Sequence, residues 1–136
     1  MNAGEARTGL TEARVARLAT VRPDGSPHLV PIVFVREDDR LFTAVDDKPK
    51  RTTDLQRLAN VAFEPRVSVL VDGYDEDWSR LWWVRVDGLA RVADDGPDRD
   101  RALALLAAKY AVYRDRPPPG PALVVDLIAW RWWPRG

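Results

Sequence analysis

The sequence predicts a mixed α+β domain, mainly β, built on a closed or nearly closed antiparallel barrel of six strands. Three observations carry that prediction. Six apolar segments with strand character are joined by mostly short connections. The long segment 80–92 alternates strictly, with Trp82, Val84, Val86, Ala90 and Val92 on one side and Arg85, Asp87 and Arg91 on the other. Only one segment, 97–113, carries a long apolar stripe at helical spacing, through Leu103, Leu106, Ala107 and Tyr110.

The elements follow in chain order. Residues 10–18 read as a helix with Thr11 as N-cap and Glu12 in its first turn. A strand over 18–22 then runs into Pro23-Asp24-Gly25, a turn signal. Residues 27–36 read as one strand, and 40–45 as its hairpin partner across Glu37-Asp38-Asp39. A short helix over 52–59 follows a basic stretch, and strands are expected at 67–72 and 80–92. Pro97 suits the first turn of the helix over 97–113. The run Arg116-Pro117-Pro118-Pro119-Gly120-Pro121 cannot continue that helix and reads as a stiff connector before a last strand at 123–132.

A length of 136 residues suits one domain, taken as residues 1–136. Twenty-one Lys+Arg balance twenty-one Asp+Glu, so no global field recruits nucleic acid or an anionic membrane. The absence of cysteine excludes thiol catalysis, disulfides and cysteine metal sites. No metal is expected. The opening residues lack an apolar signal core and no run reaches membrane-spanning length, so a cytoplasmic protein is the expectation.

Any anion preference must therefore be local. The stretch from Asp46 to Leu55 holds Lys48, Lys50 and Arg51 just ahead of the expected short helix. A helix N-terminus carries a partial positive charge, so cations there make sense when an anion, a phosphate above all, docks on the free N–H groups. Thr52 and Thr53 hydroxyls would add donors. The alternative is a solvated loop in which Asp46 and Asp47 neutralise the cations.

The order Leu18-Ala19-Thr20-Val21-Arg22-Pro23-Asp24-Gly25-Ser26-Pro27-His28-Leu29-Val30-Pro31-Ile32 resembles the opening hairpin of the split β-barrel flavin/deazaflavin oxidoreductases, the pyridoxamine-phosphate-oxidase-like group. The Lys-Pro-Lys-Arg loop is similar to that group's phosphate-binding segment. Asp72-Gly73-Tyr74-Asp75-Glu76-Asp77-Trp78, followed by Leu81-Trp82-Trp83-Val84-Arg85-Val86-Asp87-Gly88, resembles an actinobacterial branch described as coenzyme F420-dependent enzymes. The likeness covers residues 10–132. It implies an FMN-binding-like split barrel and a homodimer with a cofactor in each interface groove. It further implies coenzyme F420 as cofactor, with hydride transfer between the reduced cofactor and a small conjugated molecule; the alternatives are an FMN-dependent oxidase or reductase of the same fold and a non-catalytic deazaflavin carrier. Carried over by the same likeness, Lys48, Lys50, Arg51 and Thr52 contact the phosphate or tail. Thr20, Val21, Pro31 and Ile32 lie beside the ring, and Trp78 and Trp83 wall the pocket.

Such a site needs no dedicated catalytic side chain, since the cofactor carries the redox chemistry and the protein positions it. His28, the single histidine, is the one candidate proton donor. The competing reading makes it a half-exposed strand residue near the turn, and the sequence favours that reading. Trp82, Trp130 and Trp132 read as core or interface packing, with Trp83 the better pocket candidate. Arg85 and Arg91 pair with Asp87 or hold an acidic cofactor tail, the pairing being the simpler outcome. Asp75, Glu76 and Asp77 read as a solvated loop, and Arg99, Asp100 and Arg101 as an exposed helix face.

Overall fold

A computed structural model describes residues 1–45 and 51–135 of the chain, with secondary structure alone for 51–55. The described elements are α1 (Ala3–Glu12), β1 (Ala16–Val21), β2 (Pro27–Ile32), β3 (Val35–Glu37), β4 (Arg40–Ala44), α2 (Arg51–Phe63), β5 (Arg66–Gly73), a 3-10 turn (Trp78–Arg80), β6 (Trp82–Ala93), α3 (Gly96–Lys109), α4 (Val112–Asp115) and β7 (Ala122–Trp133). Strands β1 to β7 form one antiparallel sheet in the order β2-β1-β5-β6-β7-β4-β3. The two ends of that order, β2 and β3, are consecutive in the chain. The sheet therefore curls until its ends meet, joined by Val33 and Phe34 but not paired. This is a split barrel.

Seven strands replace the expected six because segment 27–36 breaks after Ile32. At the break, Thr43 Oγ1 donates to the Val33 carbonyl at 2.7 Å. Phe34 N–H donates to the Tyr110 hydroxyl at 3.2 Å. That hydroxyl's own proton is shared between the carbonyls of Arg14 at 2.8 Å and Phe34 at 3.1 Å. Side chains thus do at the seam what a strand ladder does elsewhere.

The first helix lies upstream of the expected 10–18. Asn2 and Glu5 form a capping box that starts α1 at Ala3, and Thr11 is no N-cap: its hydroxyl donates to the Arg7 carbonyl at 2.8 Å. Leu10 and Leu18, which suggested one helix, belong to α1 and β1 respectively. The helix expected at 52–59 runs longer, over Arg51–Phe63. The one expected at 97–113 ends at Lys109, because Tyr110 turns extended (φ −118, ψ 114) to reach the seam, and a short α4 follows.

The inner face of the sheet makes the core, with Leu18, Phe34, Leu41, Val69, Val84 and Val86 all at most 1% exposed. A smaller cluster under α3 joins Phe42, Ala93, Ala102, Ala122 and Val124. The alternation expected for 80–92 is present, with Val84, Val86 and Ala90 buried and Arg85 and Arg91 exposed. Arg99 is not part of a free helix face. It donates to the carbonyls of Gly120 (3.2 Å) and Pro118 (3.3 Å) and so holds the proline connector against α3.

Two consequences are measurable. Tyr110→Phe removes the acceptor for a buried backbone N–H and the donor for two carbonyls. It should lower stability by about 1–3 kcal/mol, the cost of leaving a buried polar group unsatisfied, as read by urea unfolding. Lys109 donates to the Ala13 carbonyl at 2.7 Å above the ring of Phe34. Burial first, then the Arg14 charge, push its pKa down to about 8. A folded-state pKa below the unfolded one means the unfolded chain binds more protons between the two values. Stability should therefore rise as pH climbs from about 8 towards the ordinary lysine value, and Lys109→Met should flatten that rise in the same unfolding assay.

Candidate functional site

The outer face of the sheet has a groove of about 710 Å³ running across β1, β2, β5 and β6. That volume is within the roughly 300–1,000 Å³ of ligand sites. Strand alternation puts its lining there: Arg17 and Ala19 from β1, Leu29 from β2, Leu70 from β5, and Trp83 and Arg85 from β6. Tyr74, after β5, and Trp133, at the end of β7, also line it. Trp82 crosses from the core towards the groove, and only a glycine fits opposite it. A Cβ at Gly73 would lie 2.0 Å from Trp82 Nε1.

The groove is mostly apolar, and its charges are matched. Arg17 pairs with Asp72 at 3.1 Å and Arg85 with Asp87 at 3.6 Å. Arg85 also lies 5.8 Å from the Trp83 ring centre. The pairing expected for Arg85 is thus present. Arg91 instead pairs with Asp98 at 2.5 Å and Asp126 at 3.8 Å.

A second, smaller cavity of about 210 Å³ opens at the seam. Pro31, Ile32 and Val33 wall it on one side, Thr43 and Ala44 on the other, and Arg57 of α2 reaches it from below. Pro31 pairs across the ladder with Arg17, which lines the large groove, so both spaces border the β1–β2 ladder without sharing a lining residue. Thr20 and Val21 line a third depression of about 540 Å³ that shares Ala19 and Ser68 with the groove.

Among the described residues, the buried polar side chains are Thr20, His28, Thr43, Arg57 and Asn60. Thr20 and His28 face each other on β1 and β2. Asn60 donates to the Thr20 hydroxyl at 2.9 Å and accepts from Gln56 at 2.7 Å, tying α2 to the barrel. His28 is only 9% exposed, which corrects the half-exposed reading. Its Nδ1 has no hydrogen-bond partner among the described residues. Burial, then the charges of Arg22 and Arg57, hold its pKa below the usual histidine value, so the imidazole is neutral at pH 7. A neutral, enclosed ring is a poor proton donor.

The sequence candidates are therefore distributed rather than gathered at one point. Pro31 and Ile32 sit at the seam cavity, Thr20 and Val21 at the third depression, and Trp83 in the large groove. Trp78 stands on the 3-10 turn, 68% exposed, with its Nε1 donating to the Tyr74 hydroxyl at 3.4 Å. Lys48 and Lys50 lie outside the described residues. Arg51 and Thr52 open α2, which places the basic stretch directly before that helix in the chain. Trp82, Trp130 and Trp132 pack against the core as expected. Asp77 is more than a solvated acid, since it caps the 3-10 turn by accepting from Ser79 N–H at 3.1 Å.

Arg57 and Thr43 escaped the sequence reading. Arg57 left one signal: it sits with Asn60 on the same inward face as Leu58 and Val61, where a helix normally buries apolar side chains. The residues present fit a phosphorylated planar cofactor in two respects. A nearly buried guanidinium lines the cavity beside Pro31 and Ile32, and the groove on the other side of β2 offers apolar and aromatic surface. No described group of histidine, cysteine or acidic residues has the makings of a metal site. No described helix is long and apolar enough to cross a membrane.

Comparison with known proteins agrees with the architecture. The chain is similar in structure to a conserved hypothetical protein of Mycobacterium tuberculosis (TM-score 0.79, 21% identity, covering 98% of this chain and 84% of that one). It is also similar to an FAD-binding protein of Mesorhizobium loti (TM-score 0.69, 25% identity, 97% and 94%). A third likeness is to a heme-binding protein of Mycobacterium smegmatis (TM-score 0.76, 21% identity, 96% and 54%). No curated protein matches the sequence. The family profile described as Pyridoxamine 5'-phosphate oxidase matches residues 3–134. That match runs from the first turn of α1 past the end of β7, and the chain belongs to the pyridoxamine 5'-phosphate oxidase family.

Proposed function

We propose that this chain is an oxidoreductase that works with a phosphorylated flavin-type cofactor, coenzyme F420 first and FMN as the alternative. The reaction is hydride transfer between the reduced cofactor and a small conjugated organic molecule. The observation that carries this reading is the convergence of three features. The seam cavity holds Pro31 and Ile32, the groove with Trp83 is lined by the same strand β2, and the helix that supplies Arg57 begins at the basic stretch ending in Arg51. The family and its FAD-binding relative support the flavin class. The Asp72–Trp78 and Leu81–Gly88 segments favour the deazaflavin within it.

When bound, the cofactor supplies the hydride chemistry. The chain's part is to orient it and exclude water. Lys50 and Arg51, with Lys48 and Thr52, would hold the phosphate. Pro31, Ile32, Thr20 and Val21 would fix the ring, and Trp83 would shield its face. His28, its pKa held below the ordinary histidine value, is a poor acid at neutral pH, and solvent supplies the proton in this reading.

The relatives also include heme-binding proteins, and heme is the competing cofactor. Ligation by histidine would fall to His28, the chain's one histidine. It is only 9% exposed on β2, with its Nδ1 buried. That geometry favours the flavin class.

We also propose that a second copy completes the site. Leu29 is 67% and Tyr74 68% exposed along the groove, and Ile128 lies 66% exposed on the same outer side. The matched Arg–Asp pairs beside them are compatible with a self-complementary contact. A cytoplasmic location is the companion expectation.

Two measurements test this reading. Isothermal titration should show Lys50→Ala and Arg51→Ala each weakening binding of coenzyme F420 or FMN by about 1.5–3 kcal/mol, the scale of hydrogen bonds to charged groups. Added salt should weaken the wild-type affinity. Unchanged affinity in both variants, or hemin bound more tightly than either flavin-type ligand, would reject the assignment. Light scattering at micromolar concentration should return about twice the 15.4 kDa chain mass. A monomer binding cofactor at full affinity would reject the shared groove.

A further inference from the structure

The outer face of the sheet carries its cations in an order that the fold itself does not need. Ladder register puts Arg17, Leu70, Arg85 and Arg131 in one row across β1, β5, β6 and β7. Trp130 and Trp132 pack against the core, so Arg131 between them points outward, as Arg17 and Arg85 do in the groove. Arg85 and Arg131 stand directly opposite each other, and like charges so placed repel. Arg17 has Asp72 at 3.1 Å and Arg85 has Asp87 at 3.6 Å. Arg131 has no carboxylate partner among the described residues, and donates to the Trp130 carbonyl at 3.0 Å.

The opposite sign stands at the end of the same groove. The loop between β5 and β6 holds Asp75, Glu76 and Asp77 against Arg80 alone, which reaches Asp75 at 4.0 Å and Asp77 at 3.8 Å. The loop is fixed in shape. Asp77 N–H donates to Asp75 at 2.7 Å, Ser79 N–H to Asp77 at 3.1 Å, and Trp78 Nε1 to the Tyr74 hydroxyl. Glu76 is the acid this turn does not use. Its one hydrogen bond among the described residues comes from the Tyr74 hydroxyl, at 3.2 Å. A preordered loop that keeps Tyr74 and Trp78 in water has the make-up of an interface hot spot. Of the nine large apolar side chains left exposed among the described residues, six lie on this loop or this face: Leu29, Tyr74, Trp78, Leu89, Ile128 and Trp133. Such clustering marks a contact surface.

We propose that the acidic loop of one copy docks on the arginine row of a second copy, Glu76 against Arg131, and receives the same contact in return. Charge complementarity identifies the occupant. The row has cations in excess and the loop acids in excess, and every copy carries both, as a two-fold contact requires. Tyr74 and Trp78 then cover apolar groove surface instead of facing water. The docking rests on the reading that a second copy completes the site, and adds which segment of that copy arrives.

Charge reversal tests it, with dimer dissociation read by analytical ultracentrifugation of the full chain without cofactor. Arg131→Glu and Glu76→Arg should each weaken the dimer by at least about tenfold, because each sets like charges against each other twice. Mixing the two variants should restore association to within about threefold of wild type, since both contacts in the mixed dimer are again between opposite charges. Rescue by mixing can arise only if the loop and the row meet across two copies. If a reversal does not fold, Arg131→Gln and Glu76→Gln decide the matter. Each should weaken the dimer, and the double variant should lose little more than either alone. The docking is wrong if the reversals dimerise like wild type, if mixing restores nothing, or if the neutral variants add independently. A wild-type dimer indifferent to all of these variants would leave the shared groove standing, whereas a wild-type monomer would overturn both. Cofactor binding plays no part, so the Lys50 and Arg51 result stands on its own.

Discussion

The point where the sheet fails to close governs the rest of the molecule. β2 and β3 are joined by two residues, yet they stand at opposite ends of the strand order. A strand edge inside a protein leaves backbone groups that must be satisfied by something. Here Thr43 serves Val33, and the single hydroxyl of Tyr110 serves Phe34 on both sides while also holding Arg14. These contacts fix α3 and the start of β1 against the barrel. They also leave a cavity beside the seam, because side chains that bridge a gap do not fill it.

That seam explains why the candidate site lies where it does. Ile32 and Thr43 stay buried beside the split, and Pro31 lies on the outer side of β2; together they wall a space that Arg57 enters from α2. On the other side of the same strands, alternation gathers Leu29, Leu70 and Trp83 into an apolar groove. Asn60, itself held by Gln56 within the helix, ties α2 to β1 through its hydrogen bond to Thr20. The helix that starts at the basic stretch is thereby fixed to the strands that line the groove.

Several features were legible in the chain because their causes are local. The alternation of Val84 and Val86 with Arg85 and Asp87 fixes a half-exposed strand in any context. Pro23-Asp24-Gly25 forms the expected turn, with Gly25 at φ 87 and Ser26 N–H donating to Asp24 at 2.9 Å. The partners of Trp82, Trp130 and Trp132 followed from the same alternation. The first helix was misplaced although its capping box, Asn2 with Glu5, was there to be read. Thr11 and Glu12 mimicked a helix start although they close α1, four residues before β1 begins.

By itself, the sequence determined the fold class, the strand alternation and the position of the basic residues before a helix. Each of these depends on residues within a few positions of one another. Tertiary structure alone decided the break after Ile32, the enclosure of His28, and the arrival of Arg57 at the cavity beside Pro31. Those outcomes depend on groups far apart in sequence: Tyr110 lies 76 positions from Phe34, and Asn60 lies 40 from Thr20. No local preference marks a tyrosine hydroxyl as the partner of a distant backbone amide, or a helix arginine as the wall of a cavity. Burial makes such pairings obligatory once the barrel curls, and the curl is a property of the whole sheet.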